Sequence, residues 1–330
     1  MKRARLAGIL LLSGLAVLSF GDSGKRDVAR RGDASEIGTN SKDREFRIFS
    51  APVQIVRGGQ RIYVVDSQDG EIRVFSESGD YERTVGRKGQ GPGELNSPGG
   101  MDVYEKKIYV ADSFNQRIQI FDEAGGYLES LRVPFIPRQI VILGEDRIVL
   151  SRLPMGRGKG EKLVSCFDRK GALLWERVDA HLSEDAVYDT FRNLIVLNRA
   201  PSGGFFVVWK SEDRRILHFD ADGRMTGSMS VDQAHAFKKI RLPTRGRVSE
   251  IRGFCWDSSV EAGRVYLLAP DFTPERDLGP GRTIIAVGPG GAITGTVNLP
   301  VAVKKICVAD HRIFAVDADN DLRIFDSGGL

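Results

Sequence analysis

The sequence holds 330 residues, 41% of them hydrophobic, with 38 Gly and 13 Pro, which is enough apolar mass for a large core and suits a turn-rich, all-β chain. Its formal net charge of +4 falls to +1 once Lys2, Arg3 and Arg5 are set aside, so there is no general electrostatic case for binding nucleic acid. Aromatic residues make up only 8% and fall mostly in strand-like positions, which also argues against stacking on bases.

The three amino-terminal cations precede the apolar run "LAGILLLSGLAVLSF" (6–20), and Ser19-Phe20-Gly21 forms a small-x-small site. This pattern predicts a Sec signal peptide over residues 1–21 and delivery to the periplasm or the cell exterior. Fifteen residues would cross a bilayer poorly, so no stable membrane insertion is expected after cleavage; a retained anchor is the alternative. Residues 22–43 hold few apolar residues and no aromatic, with balanced charge, and are expected to be a disordered linker. The folded domain is expected over 44–330.

From there the chain repeats itself. "RIYVVDSQDGEIRVFSESGDYE" returns 46 residues later as "KIYVADSFNQRIQIFDEAGGYL". The recurrent marker is Phe-x-x-x-Gly, a strand ending in an aromatic before a turn that needs a positive-φ Gly. It falls at Phe75, Phe121, Phe167, Phe219 and Phe325, with Val287-x-x-x-Gly291 as a degenerate copy. An apolar strand precedes each marker ("RIVLS", "GFFVVW", "RVYLLA", "RIFAVD"), and another follows all but the last. Six units of three or four short strands predict an all-β, six-bladed β-propeller. The sixth unit has no outer strand after it, so "REFRIFS" (44–50) is expected to join the last blade and close the ring, pairing edges that would otherwise stay open.

The segments "IYVADSFNQRIQIFDEAGGYL" and "GRKGQGPGELNSPGGMDV" resemble the NHL-repeat family of six-bladed propellers, whose inter-blade connection is matched at Gly89 to Pro98. The resemblance is detailed over residues 50–130 and is carried by rhythm alone in the third to fifth blades. In such propellers the turn after the second strand and the link to the next blade share one face. The long segments 152–161, 178–191, 230–250 and 270–282 therefore gather on one side, which is the expected binding surface.

Aligning inner strands on Ile55, Met101, Ile140, Leu194, Phe254 and Ile306 places Arg138, Arg192, Arg252 and Lys304 two positions earlier, with Gln139, Asn193 and Lys305 in the next column. A half-ring of cations at the channel mouth would focus field on an anion, with Arg gripping an oxyanion in two places. The alternative is that these side chains are solvated or pair with Glu184, Asp185, Asp189 or Glu250.

The turn Asp317, Asp319, Asp321 lacks the Gly and distal Glu of a calcium loop and reads as a structural bend, like Asp66 and Asp112. Cys166, Cys255 and Cys307 sit in apolar contexts and read as small buried hydrophobes. Some NHL-type lyases bind zinc through several histidines, but His181, His218, His235 and His311 avoid the inner columns, and no metal or other cofactor is expected. No phosphate loop or Gly-x-Ser-x-Gly elbow occurs. These features point to an exported, monomeric, non-catalytic module that recognises a protein, peptide or anionic glycan. The competing reading is a metal-dependent lyase or hydrolase, lactonase-like or amidating-lyase-like, with a channel site.

Overall fold

The structure is a computed structural model that describes residues 30–37, 48–155, 160–231, 239–244, 247–271 and 279–328; the expected signal peptide lies outside them. The repeat builds what its rhythm predicts. Four blades are separate four-stranded antiparallel sheets, with inner strands Pro52–Gly58, Gly100–Tyr104, Ile140–Ile142 and Ile195–Arg199. The fifth and sixth blades share a continuous strand, Ile293–Ala309. Its first part is the outer strand of the fifth blade against Gly279–Val287, and its second part is the inner strand of the sixth against Arg312–Asp317. Every inner strand touches the next around the ring, including the sixth against the first, so the propeller closes with six blades.

The marker works at one point in each of the first five blades; the sixth copy, Phe325-x-x-x-Gly329, ends outside the described residues. Gly79, Gly125, Gly171, Gly223 and Gly291 have φ of 86°, 98°, 84°, 73° and 90°, and each donates its N–H three residues back to close the turn. The ladder register slips by one residue at the preceding Phe75, Phe121, Phe167, Phe219 and Val287, a bulge that turns the strand into the bend. A Cβ on Gly223 would lie 2.7 Å from the Trp175 ring, so the turn of one blade also fits the face of its neighbour.

The apolar core forms six clusters, each between two neighbouring blades. Val64, Ile62 and Phe75 of the first blade pack with Phe314, Val316 and Leu322 of the sixth, for example, while Tyr63, Val65 and Val74 pack with Val110 and Phe121 of the second. Second strands alternate their side chains between these two clusters, which explains near-continuous burial in "IYVVD" and "IYVAD". Burying each such side chain contributes about 1.5–3 kcal/mol.

Ring closure differs in detail from the expectation. Residues 44–47 lie outside the described residues. Ile48 forms an antiparallel bridge with Asp321, and Phe49 N–H donates to the Asn320 carbonyl, so the expected edge is engaged at one end. The other end is held by a segment predicted to be linker. Arg30–Asp33 is a strand, parallel to the outer strand of the fifth blade at Gly295 to Asn298, and Glu36 bridges Phe325. Ala34 is buried in the cluster between the last two blades. Low hydrophobicity predicts disorder when a segment must supply its own core; here the sheet edge supplies backbone partners and one small residue fills the gap.

Candidate functional site

Inner strands lie too far from one another around the channel for ladder pairing, and side chains bridge them instead. Gln54 Oε1 accepts the Met101 N–H at 2.7 Å, Asp102 Oδ2 accepts that of Ile142 at 2.8 Å, and Gln139 Oε1 accepts that of Leu197 at 2.8 Å. Asn198 donates to Ser258 Oγ at 2.8 Å, and Asp257 Oδ2 and Ser259 Oγ accept the N–H groups of Ile306 and Val308 at 3.0 and 2.9 Å. The channel wall is polar because buried backbone N–H groups there need acceptors.

Two cavities occupy this channel and meet at Gln139 and Val196. The larger, about 170 Å³, runs past Gln54, Asp102, Asn198 and Ser258. The smaller, about 90 Å³, opens at the loop-rich face between Arg138, Asn193, Arg152, Lys210 and Lys305.

The structure sorts the predicted residues. Arg138, Gln139, Asn193 and Lys305 all line the mouth. Asn193 is fully engaged, however: its oxygen accepts the His181 N–H at 2.8 Å, and its nitrogen donates to the His181 and Asp189 carbonyls at 2.8 and 2.7 Å. It clamps the ends of an inserted segment and acts as structure. Gln139 commits its oxygen to the next strand, and its amide nitrogen has no partner among the described residues.

Arg192 and Lys304 do not line the mouth. Arg192 ends an unforeseen helix, Ala186–Arg192, with its guanidinium 5.1 Å from the Tyr188 ring centre. Lys304 donates to Asn320 Oδ1 at 2.5 Å. Arg252 belongs to a separate two-stranded hairpin, Lys239–Thr244 with Arg247–Arg252, and its side chain lies outside the described residues. The fifth blade's inner strand is Asp257–Glu261, three residues beyond the predicted Phe254 position, so this blade brings the carboxylate of Asp257 to the channel. The predicted half-ring from four consecutive blades is therefore replaced by a tighter cluster.

Lys210, which the alignment missed, completes it. It follows Phe205–Trp209, the second strand of the fourth blade, and its Nζ lies 5.7 Å from the Trp256 ring centre. No hydrogen bond or ion pair engages the side chains of Arg138, Lys210 or Lys305 among the described residues, whereas Arg152 is held by Glu176 at 2.9 Å and the Lys162 carbonyl at 2.8 Å. Loss of water pushes the Lys210 amine down to about 8; Lys305 and Arg138 add to the fall, while Asp257 and Cys255 oppose it. Arg138 keeps solvent contact through the mouth, yet the protein around it strips enough water to lower its pKa too. Three cations share one cavity that no carboxylate lines among the described residues.

The acidic turns are structural. Asp66 accepts the N–H groups of Ser50, Ala51, Gln68 and Asp69, and Asp317 those of Asp319 and Asp321 together with the Arg323 Nε at 2.9 Å. All three cysteines are unbridged, and burial pushes the Cys166 thiol up to about 12. Among the described residues, no three His, Cys, Asp or Glu side chains converge as a metal-binding group, and no helix is long and apolar enough to cross a membrane.

This architecture is that of a six-bladed β-propeller, and a family described as 6-bladed beta-propeller, DUF5128, matches residues 46–152. Among solved structures, the chain is similar to a protein from Bacteroides fragilis described as a candidate exported protein: 12% identity, TM-score 0.61, with 90% of this chain and 98% of that one covered. It is similar also to a member of the duf4221 family from Bacteroides vulgatus, at 11% identity and TM-score 0.60 over 91% and 96% of the two chains. Virginiamycin B lyase from Staphylococcus aureus follows at 10% identity and TM-score 0.51, over 89% and 99%. At these identities the likeness is one of fold. No curated protein matches the chain.

Proposed function

We propose that the protein is an exported recognition module whose loop-rich face binds an anionic group of a protein, peptide or glycan at the channel mouth. The observation that carries this reading is the cluster of Arg138, Lys210 and Lys305, three cations in one cavity with no carboxylate paired to them among the described residues. Like charges held together without a counter-ion destabilise a fold, and such an arrangement persists where a ligand supplies the missing charge. Export is supported by the basic and apolar amino-terminal run with its small-x-small site, and by the description of the Bacteroides fragilis neighbour. The detailed pattern over residues 50–130 fits an NHL-like repeat. A lyase of the same fold does not transfer its chemistry, since propellers host catalysts and binders alike.

Titration of the purified protein with a sulfated oligosaccharide and with an acidic peptide at low ionic strength tests the reading. Binding should weaken steeply with salt, and Arg138→Ser with Lys305→Ser should reduce it about a hundredfold, roughly tenfold for each charge-assisted contact removed. Unchanged affinity in a folded double variant would place the site elsewhere.

A further inference from the structure

The mouth carries one feature that a simple anion site does not need. An oxyanion is best held by fully charged groups pointing outward, as Arg138 is, yet Lys210 sits half-buried on the cavity wall beside the Trp256 ring. Five groups bear on it: Lys305, Arg138, Asp257, Cys255 and that ring. Two are cations, one is a carboxylate whose Oδ2 is occupied by the Ile306 N–H, and Cys255 is a buried thiol held protonated by burial. An amine so placed is a poor ion-pair partner and a good nucleophile, because desolvation and neighbouring cations both disfavour its ammonium form. At pH 7 its unprotonated fraction is roughly two hundredfold that of an exposed lysine. Space is limited. About 90 Å³ holds on the order of six waters, and therefore one small acid or the end of a longer one.

We propose that Lys210 captures a 2-oxo carboxylate as a reversible imine, with the carboxylate held by Arg138 and Lys305. This rests on the anion-site reading above and adds a covalent step to it. The Lys210 nitrogen attacks the ketone carbon, and a proton passes from nitrogen to the former carbonyl oxygen to give a carbinolamine. The carbon–oxygen bond then breaks, oxygen leaves as water after taking a second proton, and the C=N bond remains. No oxidant or reductant takes part, and hydrolysis reverses the step. The two cations hold the carboxylate against the amine, so the carbon next to it is the one presented. A plain carboxylate can bind but cannot condense.

Incubating the purified protein with pyruvate and sodium cyanoborohydride, then mapping peptides by mass spectrometry, reads the imine as a permanent secondary amine. Lys210 should label roughly tenfold faster than the exposed lysines, with saturation in pyruvate and suppression by excess sulfate. Arg138→Ser and Lys305→Ser should each lower that rate while thermal melts stay cooperative, and Lys210→Arg should lose the specific adduct yet keep sulfate binding. Labelling of Lys210 no faster than surface lysines, with sulfate binding intact, would overturn the imine and leave the anion site standing. Loss of both would overturn the two together. Fast labelling of Lys210 that ignores Arg138 and Lys305 would also defeat the proposal, since the carboxylate would then not be held where it must be.

Discussion

At the end of the second strand, Asp66, Asp112 and Asp317 occupy equivalent places in three blades, and each uses its carboxylate to satisfy backbone N–H groups or an arginine of the following turn. By the same strand registers the position falls to Arg152 in the third blade and Trp209 in the fourth, with Lys210 next in line. In the third blade a cation takes the carboxylate's place, and in the fourth one follows it. That exchange was present in the sequence, but Lys210 lies one residue past the column that reveals it. The lysine carries a stability cost that can be measured. An unfolded lysine titrates near 10.4, and Lys210 in the fold near 8, so between those values the unfolded chain holds more protons. Stability therefore rises with pH across that window, and the full penalty applies below it. Lys210→Met should stabilise the protein on the order of 2 kcal/mol in urea melts at pH 6.5. The gain should shrink toward zero above pH 10.5. A gain equal at both pH values would mean that packing, not charge, separates the two proteins.

Elements were legible to the extent that they bury apolar faces. The Phe-x-x-x-Gly marker gave four turns, and its Val287 copy a fifth, because a bulge and a positive-φ glycine are local demands that no tertiary context replaces. The inner strand of the fifth blade was misplaced for a physical reason. That strand reads "DSSVE", because Asp257 and Ser259 must accept the N–H groups of the next strand, so Val260 alone carries the apolar character by which an inner strand is recognised. Upstream, "KIRLPT" and "RVSEIR", which the sequence places in or beside the long 230–250 segment, form a hairpin of their own. The amino-terminal strand was hidden for the opposite reason: Arg30–Asp33 contributes backbone pairing and only Ala34 enters the core. Removing residues 1–37 should then expose the edge at Gly295 to Asn298 and lower stability by about 2 kcal/mol, a fall of roughly 5 °C in a domain of this size. Removing residues 1–29 should leave the melting temperature unchanged. Equal behaviour of the two truncations would show that the strand adds nothing to the fold.

Across the whole molecule, the blades divide the work. Blades one, two and six keep the carboxylate turn, while the inserted helix, the extra hairpin and the cation cluster gather on blades three to five and the facing Lys305. Ring closure makes this division possible, since the six inter-blade clusters hold the channel geometry and include none of Arg138, Lys210 and Lys305. If the mouth is an anion site on a rigid ring, occupancy should act on stability by mass action alone, adding about 2.7 kcal/mol at a hundred times Kd. Sulfate should thus raise the melting temperature more than chloride at matched ionic strength. Sulfate also strengthens apolar burial in any protein through exclusion from its surface, so the comparison needs a partner that shares this background. The Arg138→Ser, Lys305→Ser double variant provides it, because neither side chain makes a hydrogen bond or ion pair among the described residues. Its response to sulfate should retain the general component and lose the saturable one. A saturable component of the same size in both proteins would show that sulfate stabilises the propeller from somewhere other than its mouth.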